Sequence, residues 1–303
     1  FSKPENFQPF ILISVIMSMA LLPILLTKRK APTFKKIKSM SLNELYLCSP
    51  LGMVSSVLYG TIQSALFTML AVYAAGMNFS IFDISLVTFL LAISGAVSQY
   101  PIGYISDKLD RRTVIIYSTF GAALFAFLAI FSVGTMYLPE GLRSSKLWFY
   151  VFLVCFSFCS LPMFSLILAH TNDFITRDKF VSAGAALQFS FGLGAISGPF
   201  LCSLMMGIFG NNGFFIFLIF FHCIIGFFGI YRMKIRPAEE NPDSQFVAMP
   251  QTITPVGMEL NPVAEHIDEP YSEKVEKMLE RKGVVIKKKS EENKKEDLNL
   301  IKN

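Results

Sequence analysis

The 303-residue chain is 53% hydrophobic, contains 31 Phe and 14 Met, and has only 16% charged residues. This composition excludes an ordinary soluble domain and indicates a membrane protein. The formal net charge of +5 does not indicate a nucleic-acid partner, because the charges lie in a few short loops and in a tail.

The start of the chain and its cysteines carry two further expectations. Because the first residue is Phe1 rather than Met and no signal-peptide cleavage site follows, we expect the chain to begin inside a longer gene product. The cysteine spacings match no zinc pattern, and most of the thiols lie inside apolar runs, so we expect no disulfide, metal or other cofactor. The five cysteines are Cys48, Cys155, Cys159, Cys202 and Cys223.

Uncharged runs long enough to cross a membrane recur along the chain. A helix needs about 20 apolar residues to cross a hydrocarbon layer of roughly 30 Å, since each residue rises about 1.5 Å. The charge-free stretch after Phe180 is too long for one crossing, but residues 210–213 (Gly-Asn-Asn-Gly) predict a turn in its middle. The sequence therefore predicts an all-α protein with seven transmembrane helices, at residues 10–27, 49–76, 84–105, 113–133, 147–169, 184–209 and 214–231.

The distribution of Lys and Arg over the short connections predicts the orientation of these helices. One side receives only Lys3, Arg143 and Lys146. We expect the richer side, with the C-terminal tail, to be cytoplasmic in a multi-pass protein of the cell (inner) membrane. The richer side receives Lys28, Arg29, Lys30, Lys35, Lys36, Lys38, Lys108, Arg111, Arg112, Arg177, Lys179, Arg232, Lys234 and Arg236.

The tail after Arg236 changes in composition to Pro, Glu, Lys and Asn. It has too few apolar residues to fold alone, and we expect it to be largely disordered. Apolar residues at helical spacing predict a short helix at residues 272–282. The Lys-rich region at residues 287–295 is expected to be a solvated tail, and contact with anionic membrane lipid is the alternative.

A short charged turn, residues 103–112 (GYISDKLDRR), follows the third predicted span. Gly103 and Asp107 are four residues apart, so they share a helix face. The glycine permits close approach of a neighbouring helix, and the carboxylate suits a helix N-terminus. If the helix continues, Asp107 and Arg111 form a favourable ion pair. The run predicts a polar latch between helices, and a plain positively charged inside loop is the alternative.

The full run closely resembles motif A of the major facilitator superfamily. It has Gly103, then a hydrophobic residue, Ser, Asp and a base (Lys108), then a spacer and the basic pair Arg111 and Arg112, all directly after a span. In that superfamily the run lies between spans 2 and 3 and, in degenerate form, between spans 8 and 9. Asp110 stands where the family usually has Gly, and it can pair with Arg112 or with Lys108.

The resemblance implies how the spans are numbered. If the third span here carries the motif, the seven spans match spans 6 to 12 of a twelve-span transporter, and the N-terminal half is a missing partner. The implied units are residues 1–27 (last helix of the N-terminal bundle), 28–48 (cytoplasmic central loop), 49–233 (C-terminal six-helix bundle) and 234–303 (tail). Stretches at residues 41–52, 169–173 and 246–262 look like the YcaD-like branch.

The resemblance also implies which helices surround a substrate. In the superfamily the first and fourth spans of each half line a central cavity, which are the second and fifth spans here. Polar groups inside a membrane are costly and usually face the bundle interior, although they also form simple bonds between packed helices. The candidate cavity residues are Tyr59, Gln63 and Ser64 on the second span and Ser157 and Ser160 on the fifth.

The resemblance also implies that the third and sixth spans gate the cavity. Gly194 and Gly198 form a small-xxx-small face, and Pro199 permits bending. With Gln188 they make the predicted gate helix. A cytoplasmic latch or helix cap is expected at His170, Asn172 and Asp173, for which a proton relay is the alternative. His222, at mid-depth in the seventh span, is expected to be a packed, hydrogen-bonded histidine.

The predicted function is a secondary active transporter, not an enzyme, that moves a small organic solute by alternating access, coupled to an ion or a proton. No acidic or basic residue lies at the centre of a predicted span. The alternative is a seven-span receptor or sensor without transport activity, which leaves the charged turn unexplained. A retinal protein would need a Lys in the last span, and the dispersed histidines His170, His222 and His266 argue against a membrane-embedded enzyme.

Overall fold

The computed structural model describes residues 7–25, 40–135, 146–176, 179–235, 246, 248 and 249. Within these residues lie nine α-helices and the 3-10 helix Gly210–Asn212. The α-helices are α1 (Gln8–Leu25), α2 (Leu42–Cys48), α3 (Pro50–Gly76), α4 (Ile81–Lys108), α5 (Arg111–Thr135), α6 (Lys146–Ser160), α7 (Met163–Asn172), α8 (Phe180–Phe209) and α9 (Gly213–Ile235). Several predictions fall outside the described residues, namely those for residues 28–38, Lys3, Arg143, Arg177, Arg236, the tail helix at 272–282 and the Lys-rich region at 287–295.

The chain forms two compact units, residues 1–38 and residues 39–303. In the first unit, α1 exposes all its side chains from Phe10 to Ala20. The helix α1 has 18 residues, and the apolar stretch Phe10–Ala20 within it is shorter than the roughly 20 residues that a crossing needs, so the first predicted span stays a prediction. In the second unit, α2 lies inside the segment that the sequence assigns to the central loop.

The second unit contains the other predicted membrane crossings. Five described stretches are long and apolar enough to cross a membrane: Pro50–Gly76, Ile81–Lys108, Arg111–Ser132, Lys146–Asn172 and Phe180–Ile235. The last has 56 residues, about twice what one crossing needs, and the 3-10 turn divides it into α8 and α9. The all-α membrane architecture and the turn at residues 210–213 are therefore confirmed, with six crossings in this unit.

Local sequence explains where the first two crossings begin. Ser49 precedes α3 and its Oγ accepts a hydrogen bond from Gly52 N at 3.3 Å, with Pro50 at the first helical position, where a missing N–H has no consequence. Ser80 and Asp83 form a reciprocal capping box at the start of α4. Both helices thus satisfy backbone donors that would otherwise lack partners.

The helix ends fall into two groups that lie at opposite ends of the bundle. One group, here called the motif end, includes the start of α3, the junction of α4 and α5, the end of α7 and the end of α9, whose residues surround one small pocket. At the other end, Asn211 Nδ2 donates to Gly76 O at 2.7 Å, and Lys146 Nζ lies 2.8 Å from Asp83 Oδ2. The six crossings therefore run alternately up and down, so that the first crossing begins and the last crossing ends at the motif end.

The core is centred on α3, which is packed against α8 and α9. Tyr73 on α3 stacks on Phe214 at 5.1 Å between ring centroids and meets Phe215 edge-on at 5.0 Å. Toward the middle of the bundle, α3 and α8 touch through glycines: a Cβ on Gly60 would collide with Phe191 O, and one on Gly194 with Val57 O. Backbone contact this close requires small residues.

Candidate functional site

Arg111 organises the charged turn at the motif end. The helix α4 ends at Lys108 and Leu109 is extended (φ −114°, ψ 164°), so the helix does not continue to Arg111. The predicted ion pair forms across this break: Arg111 Nη2 lies 3.0 Å from Asp107 Oδ1. The other guanidinium nitrogen, Nη1, donates to Asp173 Oδ1 at 2.7 Å and to Ala169 O at 2.9 Å. One buried arginine thus connects the ends of α4, α5 and α7.

The other charged residues of the turn pair locally. Arg112 and Asp110 form a second ion pair, with Nη2 and Oδ2 2.7 Å apart, and Arg112 N also donates to Asp110 Oδ1 at 3.0 Å. Lys108 is exposed, bonds to Tyr104 Oη and lies over its ring at 4.1 Å from the centroid. Of the two partners considered for Asp110, the structure therefore pairs it with Arg112.

The residues of the predicted latch lie at the end of α7 and have different environments. Asp173 is part of the Arg111 cluster described above. His170 is buried, meets Phe174 edge-on at 5.0 Å, and lines the motif-end pocket. Asn172 is half-buried, and its Oδ1 accepts no hydrogen bond from the described residues. The pocket is lined by Ser49, Pro50, Leu51, Arg112, His170, Phe174 and Arg232.

The Asp110 carboxyl has a lowered pKa. Partial burial acts to raise this pKa, but hydrogen bonds from the Arg112 side chain and backbone, the Arg112 charge and nearby His170 together hold it below the ordinary 3.8. A lowered pKa contributes stability that is complete above the unfolded-state value and is lost as pH falls through the folded-state value. Asp110 therefore supports folding at neutral pH and ceases to do so in acid.

The variant Asp110→Asn removes the charge of this carboxyl and keeps a side chain of similar size. We expect the variant to be less stable than the native protein at about pH 7 and the difference to shrink toward about pH 3, because protonation removes the same interaction from the native protein. Unfolding midpoints in detergent, measured across this range, test the prediction. A constant difference at all pH values would show that the Asp110 charge has no role in stability.

The fifth predicted span is interrupted near its middle. The helix α6 ends at Ser160, residues 161 and 162 form a turn, and α7 begins at Met163. Pro162 has no N–H to donate to the preceding turn, which accounts for the interruption. The Leu161 carbonyl instead accepts a hydrogen bond from Tyr59 Oη on α3 at 3.2 Å. A helix predicted as continuous is thus broken where it meets a cavity candidate.

Of the α3 candidates, Tyr59 lies at this interruption and Ser64 lies against α8. Tyr59 is fully buried, with its ring 6.1 Å from that of Phe191. Gln63, one turn further along α3, is also buried. Ser64 is half-buried, its Oγ donates to Thr61 O at 3.3 Å, and it lies where a Cβ on Gly198 would stand. Ser64 therefore faces α8, the predicted gate helix.

The two serine candidates of α6 are both buried and hydrogen-bonded. Ser157 Oγ donates to Leu91 O on α4 at 2.6 Å. Ser160 Oγ lies 2.9 Å from His222 Nε2, and His222 Nδ1 lies 2.7 Å from Leu218 O. Because a carbonyl only accepts, the proton is assigned to Nδ1, and Ser160 donates to Nε2. This geometry matches the expectation of a packed, hydrogen-bonded His222.

The predicted gate helix, α8, packs against α3 along most of the bundle. Thr61 Oγ1 on α3 donates to Gly194 O at 3.1 Å, and a Cβ on Gly198 would collide with Thr61 O. Pro199 lies within α8, which continues through it to Phe209. Gln188 is half-buried, and its Oε1 accepts no hydrogen bond from any described residue.

Comparison with known proteins identifies the family. The model of the Major Facilitator Superfamily matches residues 7–199 and 52–270, which together cover most of the chain. The chain belongs to the major facilitator superfamily. A metal-binding cluster of His, Cys, Asp or Glu does not occur among the described residues.

Several curated superfamily transporters are similar to the chain. An MFS-type transporter of Yersinia enterocolitica is 25% identical over 66% of this chain and 47% of its own length. YfkF of Bacillus subtilis is 26% identical over 53% and 38%, and YcaD of Escherichia fergusonii 20% identical over 68% and 51%. The chain therefore spans about half the length of these relatives, or less. The predicted resemblance to the YcaD-like branch is confirmed.

Among the features of this superfamily chain that were not predicted from the sequence, two have a local sequence signal. At the end opposite the motif, Asp83 accepts from Lys146 Nζ at 2.8 Å and from Tyr150 Oη at 2.7 Å, joining α4 to α6. The spacing Ser80 to Asp83 was the available signal for its capping role. The other feature is the interruption of the fifth span, for which Pro162 was the signal.

Proposed function

We propose that the protein is a secondary active transporter that moves a small organic solute by alternating access. The chain would supply one bundle of six crossings, built from α3 to α9, and a second bundle of the same superfamily architecture would complete the pathway. The motif end would face the cytoplasm in the cell (inner) membrane, because the described connections at that end carry most of the Lys and Arg. The C-terminal tail would then be cytoplasmic.

The observation that carries this proposal, beyond family membership, is the interruption between α6 and α7. Irregular backbone within a membrane is tolerated only where protein or a water-filled cavity satisfies its polar groups, and interrupted helices mark substrate sites in many transporters. Here the break lies at mid-depth, and its Leu161 carbonyl bonds to Tyr59. We propose that the solute binds between α3 and this break.

The polar groups near the break support a proposal about the chemistry of the solute. The proposed cavity residues, Tyr59, Gln63, Ser64, Ser157 and Ser160, are all uncharged. The middle of each described crossing also lacks Asp, Glu, Lys and Arg. This bundle therefore suits a neutral, hydrogen-bonding part of the solute. A charged group of the solute would be bound by residues elsewhere in the protein. The residue that couples transport to an ion or proton would also lie elsewhere.

Gln63→Ala is expected to lower the transport rate more than His222→Ala, when both are compared at equal amounts of folded protein. Gln63 lies one turn from Tyr59 on the face that we assign to the cavity, whereas both ring nitrogens of His222 are hydrogen-bonded, one to Ser160 and one to Leu218. Uptake by reconstituted vesicles measures both variants. An equal loss in the two variants would refute the assignment of the cavity to this face of α3.

Transport itself is tested with the full-length protein in proteoliposomes. The vesicles are exposed to an isotope-labelled extract of polar metabolites, under an imposed proton or sodium gradient, and their contents are identified by mass spectrometry. We expect one compound or a small chemical group to accumulate above the level in protein-free vesicles. If no compound does so under any gradient or in either direction, the transporter proposal is wrong.

A further inference from the structure

Three residues that follow α9, Phe246, Ala248 and Met249, lie against the bundle at the motif end. Phe246 N donates to Asp107 Oδ1 at 2.7 Å. Met249 makes two bonds with one side chain on α7: its N–H donates to Ser165 Oγ at 3.1 Å, and Ser165 Oγ lies 3.2 Å from Met249 O. The segment is held through its main chain, a contact that the sequence does not predict.

The segment enters the bundle rather than resting on its surface. Ser165 is seven residues from the end of α7 at Asn172, which corresponds to about 10 Å along the helix. At that depth an unsatisfied backbone group is costly, and Ser165 satisfies both polar groups of Met249. Ser165 is also only three residues from Pro162, so Met249 lies within about one turn of the interruption between α6 and α7.

Of the three described side chains of the segment, two contact the bundle and one is exposed. Met249 is only 8% exposed and belongs to the hydrophobic core, whereas Ala248 is exposed. The Phe246 ring lies against Gly103 so closely that a Cβ on this glycine would collide with it. We call the surface formed by Gly103, Asp107 and Ser165 the tail-binding surface. Gly103 leaves room for the Phe246 ring, the Asp107 carboxylate accepts from the Phe246 N–H, and the Ser165 hydroxyl bonds to the buried main chain of Met249.

We propose that the segment that includes Phe246, Ala248 and Met249 acts as a plug, which occupies the tail-binding surface through Phe246 and Met249 and blocks transport while bound. The same two groups, Gly103 and Asp107, are suited to close packing of a neighbouring helix, and that contact is excluded while Phe246 covers the glycine. Release of the segment frees this surface and opens the motif end of α7. The inference rests on the proposed transporter function.

The test changes the segment and leaves the bundle intact. In Met249→Gln a polar amide replaces a buried side chain, which expels the segment, whereas Ala248→Gln places the same amide in solvent and serves as the matched control. Both variants are made in the full-length protein. Hydrogen exchange of residues 246–249, measured by mass spectrometry in lipid nanodiscs, reports docking. Uptake of the isotope-labelled metabolite extract into proteoliposomes reports transport.

We expect slow exchange in the native protein and in Ala248→Gln, and fast exchange in Met249→Gln. The transport rate is proportional to the fraction of protein whose segment is released. If the segment is docked about 90% of the time in the native protein, complete release in Met249→Gln raises the transport rate about 10-fold, and Ala248→Gln leaves it unchanged. Fast exchange in the native protein would overturn the docking. Fast exchange in Met249→Gln with unchanged or reduced transport would overturn the plug. If docking behaves as expected but neither protein transports any compound, the transporter function fails and the plug with it.

Discussion

Arg111→Leu is expected to destabilise the protein by about 3 kcal/mol, because removal of one partner leaves the other charges of a buried cluster unpaired. Arg111 is 6% exposed and holds two carboxylates, Asp107 and Asp173, together with the Ala169 carbonyl. The expected loss is at the lower end of the range of about 3–5 kcal/mol for breaking a buried ion pair, because the Asp107 side chain is 36% exposed and its charge is partly screened. Unfolding in detergent, followed by a helical signal, measures the loss.

The neighbouring base of the same turn is the control for this prediction. Lys108→Leu removes the same formal charge from an exposed position whose polar contact is with Tyr104, and should cost less than about 1 kcal/mol. Arg111→Lys should fall between the two, since one ammonium does not reproduce the geometry with which the guanidinium reaches three acceptors. Equal losses for Arg111→Leu and Lys108→Leu would show that the turn is only a positively charged loop.

Gly194→Ala is expected to destabilise the protein by about 2 kcal/mol, because the added methyl group would collide with the backbone of α3. The obstructing atoms, Val57 O and the Thr61 backbone nitrogen, belong to the main chain and cannot rotate away. The helices would have to separate, which would also strain the bond from Thr61 to Gly194 O. The midpoint of thermal unfolding measures this effect.

Gly192 supplies the matched control on the same helix. A Cβ at Gly192 meets no atom within 4 Å, so Gly192→Ala should leave the unfolding midpoint unchanged or raise it slightly, since alanine favours helix more than glycine does. A comparable loss in both variants would mean that both glycines serve flexibility of α8. In that case the close contact between α3 and α8 would not be what requires Gly194.

Hydrophobic runs and charge spacing were enough to predict the crossings and the pairing of Asp107 with Arg111. These signals are local, since a crossing needs one apolar run and the pair is four residues apart. The end of α4 between the two paired residues was not predicted, and neither was the bond from Arg111 to Asp173, which joins positions 62 residues apart. Contacts of that kind depend on how helices pack, which one sequence does not encode locally.

The candidate site could be predicted from the sequence to a similar extent. Tyr59 was chosen because a polar side chain inside a membrane usually has a specific role, and the structure places it on the break at Leu161. The break could have been inferred from Pro162, since an interior proline ends or bends a helix. The docking of Met249 on Ser165 had no such signal, because the segment lies in a polar tail and its binding surface exists only after α4 and α7 have packed.

A structure of the full-length protein with a transported compound bound is the most direct test of the central claim, that the solute binds between α3 and the break in the fifth crossing. We predict that the compound lies within hydrogen-bonding distance, roughly 3 Å, of Tyr59, Gln63 or the Leu161–Pro162 backbone. A compound that is bound in a transport-competent state and contacts none of these groups would contradict the account.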